Sequence, residues 1–233
     1  MKKIGIIGGI GPESTVDYYR QIISAFQSRE PGADNPEILI YSANLAELMR
    51  MLEAGDLQKI AHWLSEKIIV LAGAGADFAA IGSNTPHVVF HEVSARSPIP
   101  ILSIVEETCR AAARLGLKKP GLMGTKFTME SDFFQKEFLK QGVSLVAPPA
   151  GDREIIHRKL FSEIELGIIR DATRQELLSI VERMMERDRI DSVILGCTEL
   201  PLILDRDEFG IPFLNTTALH AASIVRYCLG DPS

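Results

Sequence analysis

Cysteine is scarce in this chain, with three residues, Cys109, Cys197 and Cys228, among 233. An odd number without framework spacing excludes a disulfide scaffold. It implies reduced thiols and makes the cytoplasm the expected location. No pair has C-x-x-C spacing and no Cys/His cluster suggests zinc, so no metal site is expected. Basic blocks are missing and the formal net charge is −6, which argues against nucleic acid as a partner. No apolar run approaches the roughly 18 residues of a membrane span, so no membrane partner is expected. The opening Met1-Lys2-Lys3-Ile4-Gly5 leads straight into a strand pattern, without the layout of a secretory signal. Low-complexity segments and flexible linkers are absent too.

What is present is an alternation of short apolar runs and helical patterns. Residues 3–8 read as a strand, ended by the loop Gly8-Gly9-Ile10-Gly11-Pro12. Tyr18, Ile22 and Phe26 then fall at helical spacing, and Pro12 suits a first helical turn. A second strand is expected at 38–41. Asp56 suits the N-cap of a helix reaching about residue 74. A third strand at 78–82, a fourth at 99–103 and a helix over 105–115 complete this half.

The pattern then restarts. Lys119-Pro120-Gly121-Leu122-Met123-Gly124 echoes Lys3-Ile4-Gly5-Ile6-Ile7-Gly8, and each is followed by a Glu-Ser pair, Glu13-Ser14 and Glu130-Ser131. The interval from Gly5 to Ser83 nearly equals that from Gly121 to Cys197. Each of these positions is followed by an Ile-Pro pair, at Ile99-Pro100 and Ile211-Pro212. Four landmarks in the same order imply an internal duplication. The expected fold is α/β: two similar Rossmann-like domains with parallel sheets, related by a pseudo-twofold, and a cleft between them. Residues 1–99 with 209–233 are assigned to the first domain and 100–208 to the second. A final helix over 217–229 covers one of them.

The chemistry concentrates at two strand ends. Ser192-Val193-Ile194-Leu195-Gly196-Cys197-Thr198-Glu199 is an apolar strand ending in glycine, a thiol, a hydroxyl and a carboxylate. Ala79-Ala80-Ile81-Gly82-Ser83-Asn84-Thr85 repeats that layout with serine for cysteine. Open α/β sheets hold ligands beyond the carboxyl ends of their strands. The Gly8–Gly11 loop invites a dinucleotide reading, yet the second strand ends in Tyr41-Ser42-Ala43-Asn44, without the acid that would hold a ribose. A nest of backbone N–H groups ending at Gly11, suited to a carboxylate, is the better expectation. Cys109 and Cys228 fall inside helical patterns and read as core. His87 is either a core histidine or a support for Ser83.

Gly8-Gly9-Ile10-Gly11-Pro12-Glu13-Ser14-Thr15, Ser83-Asn84-Thr85-Pro86-His87 and Gly196-Cys197-Thr198-Glu199-Leu200 resemble the signatures of the aspartate/glutamate racemase family. The resemblance spans nearly the whole chain. It implies a cofactor-independent enzyme of two similar α/β domains, paired as a homodimer, with its site between the domains. There, a cysteine from each domain faces the α-carbon of an amino-acid substrate. One removes the α-proton and the other returns a proton to the opposite face. Asn84, Thr85, Thr125 and Thr198 are implied as donors to the α-carboxylate. Ser83 departs from the pattern, since the family has cysteine there. It is a natural variant with one-sided chemistry, a replacement of cysteine, or a sign that one thiol suffices.

The physics of the reaction sets further expectations. A thiolate base needs a pKa below the ~8.5 of free cysteine, and a helix N-terminus after Cys197 is the expected source. Glu199 would oppose ionisation if it faced the sulfur, so it is assigned to the substrate ammonium. A second substrate carboxylate needs a cation, either Arg50 or Arg170, unless both are ordinary surface arginines. A single-cysteine decarboxylase of arylmalonate type, or a non-catalytic amino-acid binding protein, are the rival readings.

Overall fold

Strand β1 (Ile4–Gly8) is buried along its whole length, and its side chains divide between two apolar faces, Ile4 and Ile6 on one and Ile7 on the other. Helices must cover both sides of such a strand. The computed structural model describes residues 1–29 and 34–231. After β1 come α1 (Pro12–Arg29), β2 (Ile38–Ser42), α2 (Leu45–Glu53), α3 (Leu57–Gly73), β3 (Phe78–Ile81), a 3-10 turn (Thr85–Val89), α4 (Phe90–Arg96) and β4 (Ile101–Leu102). The chain continues through α5 (Ile104–Arg114), β5 (Pro120–Met123), α6 (Lys126–Glu130), α7 (Phe133–Leu139), α8 (Ala150–Ser162), α9 (Asp171–Asp188), β6 (Ser192–Leu195), β7 (Phe213–Asn215) and α10 (Thr216–Leu229). No described helix is long and apolar enough to cross a membrane.

The first sheet has the order β2-β1-β3-β4 and is parallel throughout. On one face Ile60, Leu64, Ile68 and Leu71 of α3 pack with Ile7, Ala79 and Ile81. On the other, Tyr18, Ile22 and Phe26 of α1 and Ala221, Ile224 and Val225 of α10 pack with Ile4, Ile6, Phe78 and Ala80. Asp56 caps α3 as expected, its carboxylate accepting from Lys59 N at 3.0 Å. The second sheet, β5-β6-β7, is parallel as well. Val146 bridges Gly121 in parallel beside β5. Spatial order therefore repeats: a flanking segment, the opening strand, the strand bearing the reactive tip, then the Ile-Pro strand. One face of this second sheet packs Met123, Val193 and Leu195 against Ile156 and Leu160 of α8 and Leu177, Ile180, Val181 and Met184 of α9.

The chain divides into two compact units, Met1–Glu107 with Thr217–Ser233, and Thr108–Thr216. Both boundaries lie later than those placed at 99/100 and 208/209 in the sequence. Strand pairing is the reason: β4 is bonded to β3 and stays with the first unit, while β7 is bonded to β6 and stays with the second.

Candidate active site

Each tip begins with a glycine whose N–H binds a carbonyl at the C-terminal end of the neighbouring strand. Gly82 N donates to Ile7 O at 2.9 Å, and Gly196 N donates to Met123 O at 2.6 Å. A Cβ at residue 196 would stand 2.9 Å from Met123 O and 2.8 Å from a Leu122 methyl, so no side chain fits while the strand end keeps this path. Glycine thereby lets the chain turn sharply off β6 and deliver Cys197 at its end.

Cys197 is buried, and its Sγ donates to Glu199 Oε2 at 3.1 Å. Thr198 Oγ1 donates to the same oxygen at 2.8 Å, and both Thr198 and Glu199 are buried. Burial, and then the negative charge of Glu199, push the Cys197 thiol well above its ordinary range. This reverses the sequence expectation. No α-helix starts after Cys197; a 3-10 turn (Leu200–Leu202) follows instead, and Glu199 faces the sulfur rather than away from it. The resting side chain is a neutral thiol.

Glu165, on a 3-10 turn (Ile164–Leu166) after α8, enters the same group. One donor atom each from Glu165, Cys197 and Glu199 lie within 4.8 Å of one another. Burial raises the Glu165 carboxyl to about 7, with the charge of Glu199 adding to the effect. Thiolate and carboxylates of this kind can also bind a divalent ion, although the sequence spacing suggested none. Thr125 lies at the N-cap of α6, where its hydroxyl accepts from Thr128 N at 3.2 Å. Arg170 is committed to Glu163 at 3.5 Å, in a cluster where Lys159 binds Glu163 at 2.8 Å and Thr173 donates to it as well.

In the first unit, Ser83 and Thr85 are half-buried and Asn84 is buried. His87 is fixed by two backbone contacts: Nδ1 meets Ser83 O at 2.9 Å, and Nε2 accepts from Ile104 N at 3.2 Å. The second contact leaves Nε2 bare, so the proton sits on Nδ1 and donates to Ser83 O. Burial lowers the pKa of His87 to about 4, so it supports the tip rather than moving protons at neutral pH. Gly11 offers its carbonyl to Ser14 Oγ at 2.8 Å and Thr15 Oγ1 at 3.0 Å. The Gly9 N–H is taken by Thr15 Oγ1 at 2.8 Å, so the loop is narrower as an anion nest than its sequence implied. Arg50 is exposed on α2, beside a hollow of about 320 Å³ that Glu47, Asp56, Lys59 and Trp63 also line.

The sequence reading missed two residues. Glu165 stands far along the chain from Cys197, and no local pattern links them. His220 of α10 binds Tyr18 Oη through Nδ1 at 2.8 Å and Leu102 O through Nε2 at 3.2 Å. It reads as an ordinary helix residue until the fold is known.

The sequence profile of the Asp/Glu/Hydantoin racemase family matches residues 7–224. Broad-specificity amino-acid racemase RacX of Bacillus subtilis is 28% identical over 233 residues, covering 95% of this chain and 96% of RacX. A Yersinia pestis crystal structure provisionally called an Asp/Glu racemase superposes with a TM-score of 0.90 at 33% identity, covering 98% of this chain and 100% of that one. An aspartate racemase homologue from Pyrococcus horikoshii has a TM-score of 0.84 at 32% identity, with 98% and 100% coverage.

Proposed function

The chain belongs to the Asp/Glu/hydantoin racemase family, and on that premise we propose that it racemises an acidic amino acid, aspartate or glutamate, without a cofactor. The observation that carries this reading is Cys197 at a strand end, its thiol hydrogen-bonded to a buried carboxylate. An amino-acid α-proton is a poor acid, so the base must be a thiolate and the carbanion-like state needs fixed donors. The proton of Sγ has a ready acceptor in Glu199 Oε2. Asn84, Thr85, Thr125 and Thr198 are the donors assigned to the α-carboxylate. Arg50 is assigned to the distal carboxylate, in preference to Arg170, whose guanidinium already serves Glu163. The similarity to a broad-specificity racemase supports amino acids as the substrate class. The same reading has the protein act in the cytoplasm as a homodimer, in keeping with three free cysteines.

Ser83 makes the two faces of the α-carbon unequal. A hydroxyl is too weak an acid to rest as a base at neutral pH, though it can pass a proton through a hydrogen bond. Proton NMR of L- and D-aspartate and glutamate in D2O reads each face separately. In the family pattern the second-domain cysteine takes the proton of the L enantiomer, so Cα exchange should be fast from the L side and slow from the D side. Cys197→Ala should abolish both, and Ser83→Cys should raise D-side exchange towards the L-side rate. At equilibrium the enantiomers remain equal, because a catalyst cannot bias a racemisation. No exchange with any substrate, together with tight binding, would instead indicate an amino-acid binding protein. Carbon dioxide release from an arylmalonate would indicate a decarboxylase.

A further inference from the structure

Most half-buried or buried carboxylates of the second unit have a cation. Glu163 has Lys159 and Arg170, Glu208 has Arg174 and Arg206, and Asp152 has Arg183. Glu165 and Glu199 are different. Glu199 is 5% exposed, yet its contacts are a thiol and a hydroxyl. Glu165 is half-buried and has no hydrogen bond or ion pair among the described residues. Buried charge of one sign without compensation is costly, and such groups are normally paired or filled by a ligand.

The reaction makes the imbalance sharper. If Glu199 Oε2 takes the proton from Sγ, it becomes neutral as the thiolate forms. One carboxylate therefore cannot both accept that proton and hold the substrate's ammonium. We propose that Glu165 is the residue that holds the ammonium, and that it selects substrates bearing a free α-amine; this rests on the racemase reading above. The spacing fits. Atoms within 4.8 Å of one another allow a nitrogen bonded to Glu165 to stay within reach of Glu199, with its α-carbon next to Sγ. The steps balance: the S–H proton moves to Glu199, the Cα–H proton moves to the thiolate, and the ammonium stays protonated against Glu165. A substrate with a hydroxyl or a second carboxylate in place of the amine brings no positive charge to these two carboxyl groups.

The test compares wild type with Glu165→Gln, which keeps shape and removes charge. Calorimetry after dialysis against EDTA reads the affinity for L-aspartate against L-malate and for L-glutamate against L-2-hydroxyglutarate, while D2O exchange is followed in parallel. Glu165→Gln should weaken the amino acids about tenfold or more and leave the hydroxy acids unchanged or tighter, collapsing the preference. A merely structural role would weaken both members of each pair alike. Wild-type exchange with an unchanged amine preference in Glu165→Gln overturns the assignment of Glu165 alone. Wild type that exchanges none of these amino acids overturns the racemase reading, and this inference with it. Binding lost in EDTA and restored by Zn²⁺ gives the position to a metal ion and also overturns the proposal.

Discussion

At the residue scale, the position of Cys197 was legible in the sequence but its electrostatics were not. A glycine, a thiol and a carboxylate after an apolar strand place the group correctly; they do not reveal that Glu199 turns back onto the sulfur at 3.1 Å. Direction of a side chain depends on the turn that follows, and that turn is 3-10 rather than α. Glu165 was invisible for a different reason, since α9 and β6 separate it in sequence from the thiol it faces. Arg50 carries the prediction that belongs here. It is exposed, whereas Arg170 is bound to Glu163. Losing a charge-assisted contact costs about 1.5–3 kcal/mol. Arg50→Ala should raise KM for aspartate and glutamate roughly ten- to a hundred-fold while leaving alanine, if it is turned over, nearly unaffected. Equal effects on all three would remove Arg50 from the distal carboxylate.

At the element scale, the duplication read from spaced landmarks reappears as a repeated strand order, and both tips leave their sheets through the same glycine-to-carbonyl bond. The strands β1, β3, β5 and β6 were legible because their apolar runs are short and end in glycine. The helices α6 to α9 were not. In α8 the buried Ile156 and Leu160 are outnumbered by charged residues, so no apolar stripe stands out. Partner strands, not periodicity, fix where the two units divide. Gly196 supplies the test. A methyl there meets Met123 O and Leu122, so the tip must shift to admit it. Gly196→Ala should cost about 1–3 kcal/mol by overpacking and reduce Cα exchange out of proportion to the lost stability, because the displaced group is the proposed base. Thermal unfolding and exchange rates measured on one preparation separate the two effects. Full exchange in a folded Gly196→Ala protein would mean that the exact path of this tip is unimportant.

At the scale of the whole molecule, the first unit buries two neutral histidines. Burial lowers His87 to about 4 and His220 to about 3, the latter also feeling His87. In the unfolded chain both titrate near ~6.5. Above that pH neither state binds the proton, and the histidines cost nothing. Below it the unfolded state gains protons that the folded state refuses, so stability falls as pH drops from about 6.5 towards 4. At pH 5 the loss is about 2 kcal/mol per histidine. Denaturant midpoints at pH 7 and pH 5 should differ accordingly, and His220→Asn should about halve the difference, leaving the part due to His87. An unchanged midpoint would mean that the folded state accepts the charge.

The first unit is also closed by the far end of the chain. Cys228 O accepts from Lys2 N at 3.0 Å, and Ala221, Ile224 and Val225 complete the core around Ile4, Ile6 and Phe78. During synthesis β1 leaves the ribosome before the second unit and α10 after it. The whole of the second unit emerges in between and can fold in the meantime. The first sheet must therefore wait for α10 with one of its faces covered by α1 alone, and at this stage the nascent polypeptide exposes apolar surface of the kind that chaperones shield.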